Sequence, residues 1–133
     1  MMDKLDLEMN LEEVVRVRAF ALSVAAEAGL NERQGHDLHL VCEEAVANIV
    51  NYSGATRMSL KAWQENNSLY MSFTDDGIPF DPTQYPTPDF SIPVKERRIG
   101  GLGIHYIRKL TDSMTYSRED GKNVLTIRML KVK

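Results

Sequence analysis

All five prolines of this 133-residue chain fall between Pro79 and Pro93. Proline lacks a backbone N–H and has a locked φ, so helix interiors and central strands exclude it. Residues 77–99 therefore read as a loop, with helices and strands on either side of them. A loop of this length is uncommon inside a compact domain; it is usually a lid, a binding loop or a disordered segment. Gly100-Gly101-Leu102-Gly103 closes it.

Before the prolines, residues 3–9 alternate Leu5, Leu7 and Met9 with polar neighbours, which predicts a strand. Asn10 and Glu13 have the spacing of a capping box, predicting a helix from Asn10 with Val14, Val17, Ala21, Val24 and Ala28 on one stripe. Gly29 should stop it. Asn31 and Gln34 repeat the capping pattern and predict a second helix to about Tyr52. Met58, Leu60 and Ala62, then Leu69, Met71 and Phe73, alternate as two strands around a turn at Glu65–Ser68. After the prolines comes a short helix with Ile104, Ile107 and Leu110 on one side. Strands Ser113–Arg118 and Asn123–Lys131 follow, joined at Asp120-Gly121. The order β-α-α-β-β-loop-α-β-β predicts an α+β two-layer sandwich with helices on one face of a sheet, in one domain over 1–133.

Composition narrows the function classes. Apolar residues at 43% and charged residues at 26% suit a water-soluble core-forming domain. No apolar run approaches the roughly 18 residues that span a bilayer, and the acidic N-terminus is unlike a signal peptide, so no membrane role is expected. Cys42 is the only cysteine, which rules out an internal disulfide and fits a reducing cytoplasm. A net charge of −3 gives no basis for nucleic-acid binding, and Lys95, Arg97 and Arg98 are too short a cluster to change that.

Three constellations could carry chemistry. On the second helix, Glu44, Asn48 and Asn51 form a polar line beside the apolar face of Leu38, Val41, Ala45, Ile49 and Tyr52. An amide oxygen there suits Mg²⁺, and a carboxylate four residues away could accept a proton; an amphipathic helix with polar flanks explains the same pattern. At the end of the third strand, Asp75 shares parity with Leu69, Met71 and Phe73, so its carboxylate should face the core side, while Asp76 faces away. A carboxylate aimed there needs a partner, and the amino group of an adenine could be one; Gly77 would let the backbone pass beneath a flat base. A plain Asp-Asp-Gly turn is the alternative. Third, the glycines at 100–103 open a helix, and its N-terminal amides suit phosphate; a plain loop-to-helix junction explains the same pattern. No Gly-Lys-Ser/Thr follows, and no βαβ unit surrounds it, so neither a P-loop nor a dinucleotide fingerprint is present. His36, His39 and Glu43 lie along the opposite side of the second helix, where they should be solvated; a metal-dependent hydrolase is the remote reading of that stripe.

Taken in order, these motifs resemble the GHKL ATPases. Glu44-Ala45-Val46-Ala47-Asn48 is similar to their N box, Asp75-Asp76-Gly77-Ile78-Pro79-Phe80-Asp81-Pro82 to their first glycine box, and Gly101-Leu102-Gly103 to their second. The wording Glu-Ala-Val-x-Asn and Asp-x-Gly-x-Pro-Phe-Asp-Pro resembles the bacterial anti-sigma serine/threonine kinase branch most. The resemblance implies a Bergerat-type fold, with a mixed sheet covered on one face by helices and an ATP lid at about 77–100. It implies ATP and Mg²⁺ as cofactors, Asn48 on the metal and Glu44 as catalytic base. Asn51, Asp75, Gly77, Arg98, Gly101, Leu102 and Gly103 would contact the nucleotide, with Thr126 approaching the adenine. The implied partners are an anti-anti-sigma protein of the STAS type, which would carry the acceptor serine, and a sigma factor; a homodimer is also implied. A non-catalytic ATP-dependent binding switch of the same fold is the alternative. The last strand lacks the Gly-Thr of sensor histidine kinases, and Tyr52 stands where a His often follows the N box, which argues against a sensor kinase.

Overall fold

In the computed structural model, residues 3–84 and 101–132 are described, those at 101 and 102 by their backbone only. The elements are β1 (Asp3–Leu7), α1 (Val14–Ala28), α2 (Glu32–Tyr52), β2 (Met58–Glu65), β3 (Ser68–Asp75), α3 (Gly101–Leu110), β4 (Ser113–Glu119) and β5 (Lys122–Leu130). Short 3₁₀ turns occupy Leu11–Glu13 and Pro82–Gln84. This is the expected order. The expected lid is described only to Gln84, and Arg98 lies outside the described residues.

The caps explain where the helices start and stop. Asn31 Oδ1 accepts the Gln34 N–H at 2.8 Å and Gln34 Oε1 accepts the Asn31 N–H at 3.3 Å, so the second capping box forms as expected. The first does not. Asn10 makes no side-chain cap bond, and Glu13 Oε2 instead accepts the Glu8 N–H at 2.9 Å and Arg16 at 2.8 Å. With its carboxylate spent on the exit of β1, Glu13 cannot cap Asn10, and α1 begins later, after a 3₁₀ turn. Gly29 ends α1 at φ 73°, in the left-handed region.

The five strands are ordered β1-β2-β3-β5-β4, and every neighbouring pair is antiparallel. The sheet is therefore not mixed as expected. Two tight hairpins dictate this: Asn66 and Asn67 turn β2 into β3 at φ 49° and 60°, and Asp120 and Gly121 turn β4 into β5 at φ 51° and 76°. The second hairpin docks through β5. β4 runs parallel to β3, but β5 separates them, so no parallel pair forms.

The helices bury their apolar stripes in one layer against one face of this sheet. Val17, Ala21 and Val24 of α1 and Leu38, Val41 and Ala45 of α2 join Leu60, Met71, Phe73 and Ile127 in a single core. Cys42 is part of it, its Sγ 3.2 Å from the Met71 sulfur; burial, and then the charge of Glu43, push its thiol pKa up, so it stays protonated. Gln34 reaches across to donate to the Leu130 carbonyl at 2.7 Å, fastening the start of α2 to the end of β5. No helix among the described residues is long and apolar enough to cross a membrane.

Asp76 faces away from the core, as its parity predicts, and pins β3 to the segment entering β2. Its Oδ1 accepts the N–H groups of Thr56 at 2.6 Å and Arg57 at 3.0 Å, and its Oδ2 accepts the Thr56 hydroxyl. The Thr56 hydroxyl, then the backbone N–H groups, hold its carboxyl down at about 2. The folded pKa lies below the unfolded one, so this stabilisation is complete above about pH 4 and disappears as pH falls towards 2. Asp76→Asn is expected to lower the melting midpoint at neutral pH and to flatten its fall between about pH 4 and pH 2, measured by circular dichroism.

Candidate functional site

The C-terminal half of α2, the end of β3, the start of β5 and the start of α3 meet at one end of the sandwich. A cavity of about 310 Å³ opens there, at the lower end of the range for small-molecule sites. Its walls are mainly apolar: Ala45, Ile49, Phe73, Ile104, Ile107 and Leu125, with Ile78, Phe80 and Pro82 along one side. Asn48, Asp75, Tyr116 and Asn123 bring polar groups to it.

Asp75 is 6% exposed, so its carboxylate faces the helix layer as its strand parity predicts. It does have protein partners, both at one oxygen: Oδ1 accepts the Gly77 N–H at 2.9 Å and Asn123 Nδ2 at 3.0 Å. Oδ2 accepts nothing among the described residues, yet no fully buried side-chain oxygen or nitrogen there lacks a partner. Oδ2 is therefore not fully buried, and Asp75 brings an acceptor without a protein donor among the described residues to the cavity lining.

Gly77 sits where the end of β3 meets the end of α2. It does not line the cavity. A Cβ on it would lie 2.5 Å from the Ser53 carbonyl oxygen and 2.8 Å from Asp75 Oδ1, so glycine is required by the close approach of the strand end to the end of α2. Ile78 N–H then donates to the same Ser53 carbonyl at 3.0 Å. This contact holds the end of β3 against α2.

Glu44 lies one turn before Asn48 on α2, half-buried. A Cβ on Gly103 would come within 2.8 Å of Glu44 Oε2, so the carboxylate rests against the first turn of α3. Burial, and secondarily the charge of Glu43, raise its pKa above the ordinary glutamate range. Glu43 is not solvated beside two free histidines, as expected from the sequence. Its Oε1 takes Arg18 Nη2 at 2.7 Å and Nε at 3.1 Å, and His39 Nδ1 lies 3.1 Å from its Oε2. No cluster of three metal-ligating side chains occurs among the described residues, so the hydrolase stripe is not assembled.

Two expected contacts are not brought to the cavity. Asn51 is exposed on α2 and does not line it. Thr126 pairs with Ser72, whereas Asp75 pairs with Asn123; alternation puts Thr126 on the opposite face of the sheet, away from the cavity. The strand residue that does meet Asp75 is Asn123, which the sequence reading passed over, together with Tyr116. Their parity along each strand was readable, but the β3–β5 register joins residues 48 positions apart, and no local pattern sets it. Gly101 and Leu102 open α3, as the glycine pattern predicts.

Glu44 is expected to titrate above the ordinary glutamate range when followed by carboxyl carbon NMR. Glu43→Gln should move that titration down without returning it to the ordinary value, because burial is the larger cause. An unchanged titration would remove Glu43 from the explanation.

The serine/threonine-protein kinase BtrW of Bordetella bronchiseptica is 26% identical over 131 residues, covering 94% of this chain and 91% of BtrW. The RsbU and RsbW domains of Rv1364c from Mycobacterium tuberculosis share the fold at a TM-score of 0.69 and 15% identity; the match covers 98% of this chain and spans 32% of that one. The catalytic domain of histidine kinase ThkA matches at a TM-score of 0.55 and 13% identity, over 97% of both chains. The sequence profile of the histidine kinase-like ATPase domain matches residues 7–129, and the chain belongs to that family.

Proposed function

We propose that this protein binds ATP in the α2–β3–β5 cavity and phosphorylates a serine of a small anti-anti-sigma partner of the STAS type, holding a sigma factor through the same or an adjoining surface. The observation that carries the reading is the open Oδ2 of Asp75, a charged acceptor on an otherwise mainly apolar cavity that also presents Asn48. The near full-length likeness to a protein named a serine/threonine-protein kinase supports kinase over other uses of the fold.

The residues fit an adenine nucleotide. The apolar walls suit a flat base, and Asp75 would accept its amino group. The Asn48 amide oxygen would hold Mg²⁺, a hard cation that keeps several waters and binds oxygen. The backbone N–H groups at the start of α3 would hold phosphate, with Arg98 and the rest of residues 77–100 as the lid, largely outside the described residues. Bound Mg·ATP supplies the transferable phosphoryl group. Glu44 would take the proton of the acceptor hydroxyl as its oxygen bonds to phosphorus and the bond to the leaving diphosphate breaks. A raised pKa suits that work, because it makes the carboxylate a better proton acceptor. Phosphoryl transfer otherwise asks mainly for positioning and charge neutralisation.

A thermal melt tests the nucleotide site. At about a hundred times the dissociation constant, Mg·ATP should add about 2.7 kcal/mol and raise the midpoint by roughly 10 °C. Asp75→Asn keeps an oxygen for Gly77 and Asn123 but turns an N–H₂ to the cavity, so it should fold and lose roughly tenfold or more in ATP affinity. No rise with the native protein, or an unchanged affinity in Asp75→Asn, would sink the assignment. Glu44→Ala should still bind Mg·ATP but lose transfer to a serine-bearing partner by roughly a hundredfold or more. Full-rate transfer would exclude Glu44 as base, and nucleotide binding with no transfer in the native protein would make it an ATP-dependent binding switch.

A further inference from the structure

We infer that Asn123 is a positioning residue for base selection: its carboxamide decides which oxygen of Asp75 faces the cavity and ties that carboxylate to the cavity wall at Ile78 and Phe80. This deepens the nucleotide reading and rests on it.

A carboxamide offers two donor hydrogens and two acceptor positions. Asn123 is 6% exposed and uses all of them. Nδ2 donates to Asp75 Oδ1 at 3.0 Å and to the Ile78 carbonyl at 2.8 Å. Oδ1 accepts the Phe80 N–H at 3.2 Å and the Tyr116 hydroxyl. The orientation is dictated, because a flipped amide would set its oxygen against a carboxylate and a carbonyl, and its N–H₂ against the Phe80 N–H. Arg118 Nη1 adds a bond to the Gly77 carbonyl at 2.9 Å, so side chains of β4 and β5 hold the chain at Gly77, Ile78 and Phe80.

The consequence falls on Asp75. Asn123 and the Gly77 N–H together fill Oδ1, which leaves Oδ2 for a ligand. A charged acceptor fixed at one point favours a base edge that presents a donor there. A 6-aminopurine does; a 6-oxopurine presents an oxygen and is repelled. Ile78 and Phe80 line the same cavity, so the amide that orients the carboxylate also sets the distance from it to the wall. Removing the amide frees Asp75 to rotate and leaves the Ile78 carbonyl and the Phe80 N–H without it, loosening discrimination and wall together.

The test measures affinities for Mg·ATP and Mg·ITP by calorimetry in the full chain, its Asn123→Ala variant and its Tyr116→Phe variant, with amide exchange at Phe80 followed by NMR. The native protein should prefer ATP. Asn123→Ala should lose roughly tenfold in ATP affinity with a much smaller change for ITP, narrowing the ratio about as much, the size of one misplaced bond to a charged group. Exchange at Phe80 should quicken. Tyr116→Phe removes one bond to Asn123 Oδ1 and should shift the ratio in the same direction by less; it decides the matter where Asn123→Ala does not fold. Equal losses for both nucleotides, or a lowered melting midpoint with an unchanged ratio, would overturn the inference and leave Asn123 a packing residue. A native protein that binds neither nucleotide would overturn the nucleotide reading itself, and this inference with it.

Discussion

A carboxylate turned toward the core at the end of a central strand sets the terms for this end of the sandwich. Taking Asp75 out of water is costly unless hydrogen bonds replace its hydration. The chain supplies two, and both arrive at the same oxygen. One comes from the backbone two residues on, which turns the strand end; the other comes from β5, which must therefore be in register with Asp75 opposite Asn123. A slip of one residue would carry Asn123 to the other face and leave the carboxylate half-served. The register of β5 and the path of the chain at Gly77 thus both serve one oxygen of one group.

The helix facing Asp75 works under a second constraint. α2 must cover the sheet with Leu38, Val41, Cys42 and Ala45 while bringing Asn48 to the cavity and Glu44 to the rim of α3. The helical repeat allows this, since polar groups four residues apart lie on one line beside the buried stripe. The cost is borne by Glu44, which is partly desolvated and lies next in sequence to Glu43. Arg18 and His39 bond to Glu43, and they hold it away from the cavity side. Arg18 thus ties α1 to α2 through Glu43, whose charge is the second cause of the raised Glu44 pKa.

Local patterns in the sequence carried most of the architecture. The second capping box, Gly29 and the turns at Asn66-Asn67 and Asp120-Gly121 each depend on a few adjacent residues, and each formed as read. Asn10 and Glu13 have the same spacing as Asn31 and Gln34, but only the second pair caps, because the end of β1 competes for Glu13. The inward aim of Asp75 follows from a period of two and held; its partner did not follow, because Asn123 is placed by a strand pairing with a long excursion between. Thr126 lies on the opposite face from Asp75 for the same reason: its distance from the turn is readable, whereas its face relative to Asp75 depends on register. The antiparallel sheet follows from the connections: β4 and β5 form a hairpin, and β5 rather than β4 pairs with β3.

The glycines were read as places where a ligand comes close, and the structure gives two of them to the protein itself. At Gly77 the nearby atom is the Ser53 carbonyl, and at Gly103 it is the Glu44 carboxylate. At Gly77 a Cβ would push the end of β3 from the end of α2, whereas at Gly103 it would displace the tip of the Glu44 side chain. A glycine in a binding motif can thus be required twice over, for ligand approach and for the assembly of the walls, and the second requirement acts before any ligand arrives. For this protein the assembly requirement is the visible one. It accounts for how residues from α2, β3, α3 and β5, far apart in the chain, converge on one space that no single segment could enclose.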